Sequence, residues 1–358
     1  MSILKPNIPS LSEYVVEQGQ NRVKLNQNES SLDISTVLKK QIWERMESAS
    51  WNRYPPGDAG ALIRAISGYT GHPESAIMAG NGSNEIIQTL IYATCDTGDR
   101  VVIVRPGFPV YKRVADIMNI DVIEVPLLEG FQFDTEGLIK AGRGAGILIL
   151  STPNNPTGTT LSADQIRRIA ERVSCLVAVD EAYYEFSGET VQPFILECDN
   201  IVVLRTFSKA LRLANLRLGY LLGPEALIKE LGKCRLPFSV GSFQQIAGEV
   251  VLDNKSALLD YAEQIRRERK RVFHELLGME GIAPVPSHAN FILFETARIS
   301  GRELYEVLLE RDVLIRYFDT PLLANKLRVT IGTSEENDVF LRVLRDVLGR
   351  KKDDSRAL

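Results

Sequence analysis

Residues that commonly build metal sites and disulfides are scarce in this chain of 358 residues, which has four cysteines and three histidines. The cysteines are Cys95, Cys175, Cys198 and Cys234, and the histidines are His72, His274 and His288. No C-x-x-C pair occurs, and the histidines lack the spacing of metal ligands. We therefore expect reduced thiols, with neither disulfides nor a metal site.

Long apolar runs and a strong excess of one charge are absent as well. No segment approaches the roughly 20 apolar residues that a membrane-spanning helix needs, and the first residues have no signal-peptide pattern. A formal net charge of −4 provides no general attraction to nucleic acid or to anionic membranes. We expect a cytoplasmic protein that binds neither, and 358 residues are enough for two lobes.

The chain does have a regular alternation of short apolar segments and helical patterns. The predicted strands of its first part are residues 101–104, 121–125, 146–150, 176–179, 201–204 and 218–222. Residues 162–173 are typical of an amphipathic helix that Ser162 can cap. After a long helical pattern at 257–277, shorter apolar segments lie at 289–294, 313–316 and 327–331. This order predicts an α/β fold, with a mostly parallel sheet between helices and a smaller α+β lobe.

Lys209 is the most informative residue, because it follows the apolar segment 201–204 closely. An unpaired ammonium at the mouth of a buried strand loses its hydration, so a lysine there is costly without a function. A lysine amine with a lowered pKa is a nucleophile that bonds to carbonyl carbons. Thr206, Ser208 and Arg217 surround it in sequence and suit a phosphate group. An amine beside a phosphate site indicates pyridoxal 5′-phosphate (PLP).

Two further strand ends carry polar residues that suit the same cofactor. Asn155 lies in the Pro/Asn/Gly-rich turn after segment 146–150, and Asp180 and Tyr183 follow segment 176–179. Open α/β sheets bind ligands where the carboxyl ends of their strands meet. A carboxylate such as Asp180 can keep the pyridine nitrogen protonated, and Asn155 and Tyr183 can donate to the ring oxygen.

A Gly-rich turn at Gly82, Ser83 and Asn84 precedes another helical pattern. Free backbone N–H groups at such a helix start attract phosphate. An ordinary turn with a helix cap would produce the same pattern, but the neighbouring phosphate-type residues favour a phosphate cradle.

Taken together and in this order, the motifs resemble the class I/II aminotransferases, which are PLP enzymes of fold type I. The resemblance extends from about Leu25 to the region of Asp338. It implies that Lys209, Asp180 and Tyr183 are catalytic. It also implies that Phe108 stacks on the cofactor ring, although a core phenylalanine would fit the sequence too.

Several segments are similar to histidinol-phosphate aminotransferases in particular, above all Leu327-Arg328-Val-Thr-Ile-Gly332. This resemblance implies substrate contacts from Tyr14, Asn28, Arg316 and Arg328. In that family the equivalent of Arg328 binds an α-carboxylate, and the equivalent of Arg316 joins it at the substrate phosphate. For Arg316 a structural ion pair with Asp319 is the alternative.

The same resemblance implies a homodimer with shared active sites, because the equivalent of Tyr54 reaches the cofactor phosphate of the neighbouring subunit. We expect residues 1–30 to form an arm that joins the small domain and the dimer contact. Residues 31–250 are expected to form the large PLP-binding domain, and residues 251–358 the interdomain helix and the small domain.

The reaction implied is transamination between a small-molecule amino donor and a 2-oxo acid acceptor, with histidinol phosphate and 2-oxoglutarate as the favoured pair. An aromatic amino-acid aminotransferase would use the same machinery, and a threonine-phosphate decarboxylase would also need a phosphate pocket. A ligand-sensing transcription regulator would need a DNA-binding module, for which the chain has no spare N-terminal domain or basic recognition helix.

Overall fold

A computed structural model of the chain describes residues 3–13, 19 and 21–354, with side chains up to residue 349. The strands are β1 (Val23–Lys24), β2 (Ile77–Gly80), β3 (Arg100–Arg105), β4 (Asp121–Pro126), β5 (Ile147–Ser151), β6 (Leu176–Asp180), β7 (Ile201–Thr206), β8 (Gly219–Leu222), β9 (Ile282–Pro284), β10 (Phe291–Thr296), β11 (Val313–Leu314), β12 (Arg316–Tyr317) and β13 (Lys326–Thr330).

The α-helices are α1 (Thr36–Glu47), α2 (Gly60–Thr70), α3 (Gly82–Thr94), α4 (Pro109–Met118), α5 (Thr135–Gly142), α6 (Ala163–Ala170), α7 (Tyr184–Ser187), α8 (Glu225–Gly232), α9 (Ser242–Asp253), α10 (Lys255–Leu277), α11 (Gly301–Glu310) and α12 (Ser334–Asp354). Short 3-10 helices lie at Ile8–Ser10, Glu74–Ala76, Glu129–Phe131, Gln192–Leu196, Ala214–Leu216 and Pro321–Leu323. Within the described residues, no helix combines the length and apolarity needed to cross a membrane.

Seven strands form the main sheet, in the order β2-β8-β7-β6-β5-β3-β4. β8 runs antiparallel to both of its neighbours, and the other pairings are parallel. Strands β5 and β6 are buried at every position, which explains why they read as continuous apolar runs rather than alternating ones. The predicted α/β fold with a mostly parallel sheet is thereby confirmed.

The register of this sheet brings polar chain ends together. Ser151 at the end of β5 lies opposite Asp180 at the end of β6, and Asp180 lies opposite Leu204 of β7. The turns that follow these strands therefore open on the same edge of the sheet, where the candidate site residues were expected.

The C-terminal part forms a second, antiparallel sheet in the order β12-β13-β10-β9. The segment 313–316, predicted as one strand, is two: β11 pairs in parallel with β1, whereas Arg316 starts β12 and pairs with β13. The prediction of one strand was wrong because Ile315, a buried β-branched residue, separates strands of two different sheets. The proposed domain limits stay predictions.

Candidate active site

A cavity of about 1150 Å³ lies at the carboxyl ends of the parallel strands, and side chains from both sheets line it. The sequence-predicted site residues in its wall are Asn28, Ser83, Asn84, Phe108, Asn155, Asp180, Tyr183, Thr206, Ser208, Lys209, Arg217, Arg316 and Arg328. Residues separated by up to three hundred positions thus meet around one space, as the strand-end pattern predicted.

Lys209 projects from the loop after β7, and its Nζ donates to the carbonyl oxygen of Gln27 at 3.1 Å. Burial, and after it the positive charge of Arg328, lower the pKa of this amine to about 8. The loss of hydration disfavours the ammonium form. A considerable fraction of Lys209 is therefore neutral near physiological pH and has a lone pair for bonding to a carbonyl carbon.

Asp180 is buried at the end of β6 and holds two hydrogen bonds from the protein. Tyr111 donates its hydroxyl to Oδ2 at 2.7 Å, and the backbone N–H of Ala182 donates to Oδ1 at 3.0 Å. Burial raises the pKa of Asp180 above its usual value, although both hydrogen bonds act to lower it. A buried carboxylate of this kind suits a cationic N–H partner, such as a protonated pyridine nitrogen.

The residues of the predicted phosphate cradle meet at the start of α3. Gly82 has φ of 76°, and a Cβ added there would come within 2.7 Å of Nη2 of Arg217. Nη1 of Arg217 donates to Oγ of Ser208 at 3.3 Å, and the Thr206 hydroxyl donates to the same oxygen at 3.0 Å. The guanidinium, two hydroxyls and the helix N-terminus converge here, so these residues fit the phosphate of PLP.

Asn155 and Arg328 connect the two sheets across the cavity. Nη1 of Arg328 donates to Oδ1 of Asn155 at 2.6 Å, and Nη2 donates to the carbonyl oxygen of Asn26 at 2.7 Å. Asn28 donates through Nδ2 to the hydroxyl oxygen of Tyr183 at 2.9 Å. The side chain of Asn28 is therefore hydrogen-bonded to Tyr183, and a ligand at this place would contact both side chains.

Arg316 and Arg328 are direct cross-strand partners in the β12–β13 pairing, and both line the cavity. Like charges opposite each other destabilise a sheet unless an anion relieves the repulsion. The alternative ion pair of Arg316 is not formed: in the described part of the chain Asp319 pairs with Arg302 at 2.9 Å, and no ion pair joins it to Arg316. The arginine pair is therefore suited to a carboxylate or a phosphate.

Comparison with known proteins identifies the family. The sequence profile of "Aminotransferase class I and II" matches residues 20–344. The chain belongs to this family. Enzymes of the family depend on PLP, the cofactor that the cradle, Asp180 and Lys209 fit.

Relatives and solved structures resemble the aminotransferase over nearly its whole length. A histidinol-phosphate aminotransferase from Chlorobium phaeobacteroides is 39% identical over 348 residues, which are 96% of each chain. The histidinol-phosphate aminotransferase of Sinorhizobium meliloti, solved with pyridoxal-5′-phosphate, has a TM-score of 0.89, 23% identity and coverage of 98% of both chains. The L-threonine-O-3-phosphate decarboxylase of Porphyromonas gingivalis has a TM-score of 0.80 at 22% identity, covering 91% of this chain and 99% of its own. At these identities, the two structures bear on the fold alone.

Two predicted site residues of the aminotransferase are not part of the cavity wall, and a third is not described. Gly82 belongs to the cradle but does not line the cavity. Tyr54 is 80% exposed and stacks on Phe238, with ring centroids 4.5 Å apart, so it takes no part in the cavity of its own chain. Tyr14 lies outside the described residues.

Two residues at the site were missed from the sequence. Tyr111 follows Phe108 by three positions at the start of α4, and this helical spacing could have placed both on one face. Gln27 contributes its backbone carbonyl to Lys209, and no side-chain pattern reveals a contact of that kind.

Proposed function

We propose that this aminotransferase converts histidinol phosphate and 2-oxoglutarate into imidazole-acetol phosphate and glutamate, a step of histidine biosynthesis. The observation that carries the proposal is the cross-strand pair of Arg316 and Arg328, which face the cavity that also holds Lys209. A substrate with a phosphate dianion needs more positive charge than one carboxylate clamp supplies. Curated relatives at 35–39% identity are named histidinol-phosphate aminotransferase, which supports this choice of substrate.

The residues that would hold PLP follow from the contacts described above. Its phosphate would lie at Ser83, Asn84, Thr206, Ser208 and Arg217, beside Gly82. Asp180 would bind the ring nitrogen, Asn155 and Tyr183 the ring oxygen, and Phe108 one ring face. When bound, PLP supplies an electron sink that makes the proton on the substrate Cα acidic.

Lys209 would hold the cofactor covalently and later act as the acid–base group. With the substrate bound, the Nζ of Lys209 would accept the proton from the substrate Cα and would later release it. A pKa of about 8 suits this role, because the amine can accept and release a proton near neutral pH. Asp180 would supply the negative charge that keeps the ring nitrogen protonated.

Both substrates would use the same arginines in different ways. Histidinol phosphate has no carboxylate, so its phosphate dianion would be the group that meets Arg316 and Arg328. Glutamate has two carboxylates, and its α-carboxylate would pair with Arg328. A bidentate guanidinium fits either anion, which lets one pocket accept both substrates.

The direct test is turnover with three amino substrates: histidinol phosphate, phenylalanine and threonine phosphate, each supplied with 2-oxoglutarate. We expect the highest kcat/KM for glutamate formation from histidinol phosphate. Preference for phenylalanine would support an aromatic aminotransferase instead. Release of CO₂ from threonine phosphate, without glutamate formation, would support a decarboxylase.

A cytoplasmic homodimer with shared active sites is part of the proposal. Tyr54 and Trp51 are 80% and 72% exposed, and tyrosine and tryptophan are enriched in the surfaces that protein partners bury. Tyr54 would then reach the cofactor phosphate of the second subunit. Mixing an inactive Lys209→Ala protein with an inactive Tyr54→Ala protein should restore activity in hybrid dimers. Mixtures that remain inactive, or a fully active monomer, would contradict shared sites.

A further inference from the structure

A fully buried ion pair lies next to the candidate active site but outside its cavity. Glu181 follows Asp180, and Arg205 precedes Thr206; their side chains are 0% and 2% exposed. Nε and Nη2 of Arg205 donate to Oε2 of Glu181 at 3.0 and 2.9 Å. Removing two charges from water is costly, so a buried pair of this kind calls for a role beyond filling space.

The pair lies on the reverse face of the strands that carry the site. The backbone N–H of Glu181 donates to the carbonyl oxygen of Leu204 at 2.9 Å, so the β6–β7 ladder continues through Glu181. Successive side chains of a strand point to opposite faces. Asp180 and Thr206 line the cavity, whereas Glu181 and Arg205 do not, and the pair therefore joins the two strand ends from behind.

The carboxylate of Glu181 also fixes the segment that follows the site. Its Oε2 accepts from the hydroxyl of Thr190 at 2.9 Å, and its Oε1 accepts from the backbone N–H of Val191 at 2.8 Å. Nη2 of Arg205 donates in addition to the Thr190 hydroxyl at 2.8 Å. With these bonds the buried charge of Glu181 is well compensated, which makes the geometry of the pair rigid.

Arg205 contacts the third part of the site as well. Its guanidinium carbon lies 3.7 Å from the ring centroid of Tyr184, the residue after Tyr183. A cation stacked on an aromatic ring at this distance restrains both groups. The guanidinium of Arg205, a residue of β7, therefore contacts Glu181 after the end of β6 and Tyr184 next to Tyr183.

We infer that Glu181 and Arg205 form a positioning pair that holds Asp180, Tyr183 and Thr206 in the arrangement that binds PLP. The inference rests on the proposed function, because it takes these three residues as cofactor contacts. The pair touches neither the cavity nor a substrate. Its loss should therefore weaken cofactor binding and slow turnover, while KM for the amino substrate changes little.

The test compares Glu181→Gln, Arg205→Lys, Arg205→Met and the double variant Glu181→Gln/Arg205→Met with the unaltered enzyme. Val203→Ala is the matched control, because Val203 is fully buried on β7 two residues before Arg205 and lines no part of the cavity. PLP affinity is measured by titrating each apoprotein well below its unfolding temperature. The pH dependence of the bound cofactor's visible absorption band, kcat and KM are measured on each holoenzyme.

We expect Arg205→Met to weaken PLP binding and to lower kcat by about tenfold or more, the effect of misplacing one or two charge-assisted contacts. Arg205→Lys should lie between Arg205→Met and the unaltered enzyme, since lysine keeps the charge but loses the two-pronged contact. If Arg205→Met fails to fold, the double variant removes both charges of the Glu181–Arg205 pair and should show the same weakened binding. Retention of PLP affinity, absorption and kcat equal to those of Val203→Ala would overturn the inference. Failure of the unaltered apoprotein to bind PLP would instead overturn the proposed function.

Discussion

Tyr111 and Asp180 share a hydrogen bond of 2.7 Å in a part of the cavity wall where both side chains are almost fully buried. The tyrosine hydroxyl can donate only in its neutral form, and burial together with the charge of Asp180 raises its pKa well above the usual value. Tyr111 is therefore a permanent donor, which favours the ionised form of Asp180.

Replacing Tyr111 with phenylalanine should lower kcat by about tenfold to a hundredfold, the usual effect of losing a hydrogen bond to a buried charge. Without the donor, the pKa of Asp180 rises further, so the acidic limb of the kcat profile should move to higher pH. Steady-state kinetics from pH 5 to 9 measures both effects. Tyr92→Phe, at an exposed position of α3, is the control, and equal behaviour of the two variants would argue against the role of Tyr111.

Covalent capture of PLP by the apoprotein should increase with pH with a midpoint near pH 8, because only the neutral Lys209 amine reacts. The charge of Arg328 contributes to the lowered pKa, so Arg328→Ala should move this midpoint to higher pH. Borohydride reduction followed by peptide mass analysis at each pH measures the capture. Modification of any other lysine, or capture by Lys209→Ala, would refute the assignment.

Replacing Arg316 with alanine should damage the half-reaction with histidinol phosphate more than the half-reaction with glutamate. Loss of a charge-assisted contact lowers kcat/KM by about tenfold to a hundredfold. The glutamate half-reaction relies mainly on Arg328, so Arg328→Ala should impair both. Single-turnover absorption changes separate the two half-reactions. An equal loss in both with Arg316→Ala would mean that Arg316 serves any carboxylate, and the aromatic aminotransferase would gain support.

The buried carboxyl of Glu185 should make stability depend on pH. Burial raises the pKa of Glu185 from 4.5 to about 7, while the Tyr69 hydroxyl donates to it at 3.3 Å. A pKa higher in the folded than in the unfolded state contributes stability that is complete below pH 4.5 and is lost as pH rises through about 7. Relative to wild type, Glu185→Gln should therefore gain about 3 kcal/mol in unfolding free energy between pH 4.5 and pH 8.5.

Urea unfolding of the apoproteins at the two pH values measures this change, and cofactor binding does not enter the comparison. Glu310→Gln, on the exposed end of α11, is the control and should show no such dependence. A difference between Glu185→Gln and wild type that stays the same at both pH values would mean that Glu185 does not titrate in this range.

The sequence predicted the main sheet well because strands such as β5 and β6 are buried on both faces and read as unbroken apolar runs. The meeting of the polar residues at the ends of these strands could also be predicted, because a parallel sheet brings the carboxyl ends of its strands to one edge. β2 escaped prediction, because Ile77-Met-Ala-Gly80 is short and has one β-branched residue. The hydrogen bond from Lys209 to the backbone carbonyl of Gln27 could not be predicted, because any residue type at position 27 would provide the same carbonyl oxygen.

The pairing of β1 with β11 has a consequence for the order in which parts of the chain can fold during synthesis. The N–H of Leu25 donates to the carbonyl of Leu314 and the N–H of Thr330 donates to Leu25, so segment 26–28 is held by strands near the other end of the chain. That segment covers Lys209 and lines the cavity. During synthesis the phosphate cradle can assemble early. The wall around Lys209 can form only after the strands that hold segment 26–28, which include Leu314 and Thr330, have left the ribosome. We therefore expect tight capture of the cofactor to be among the last events of folding on the ribosome.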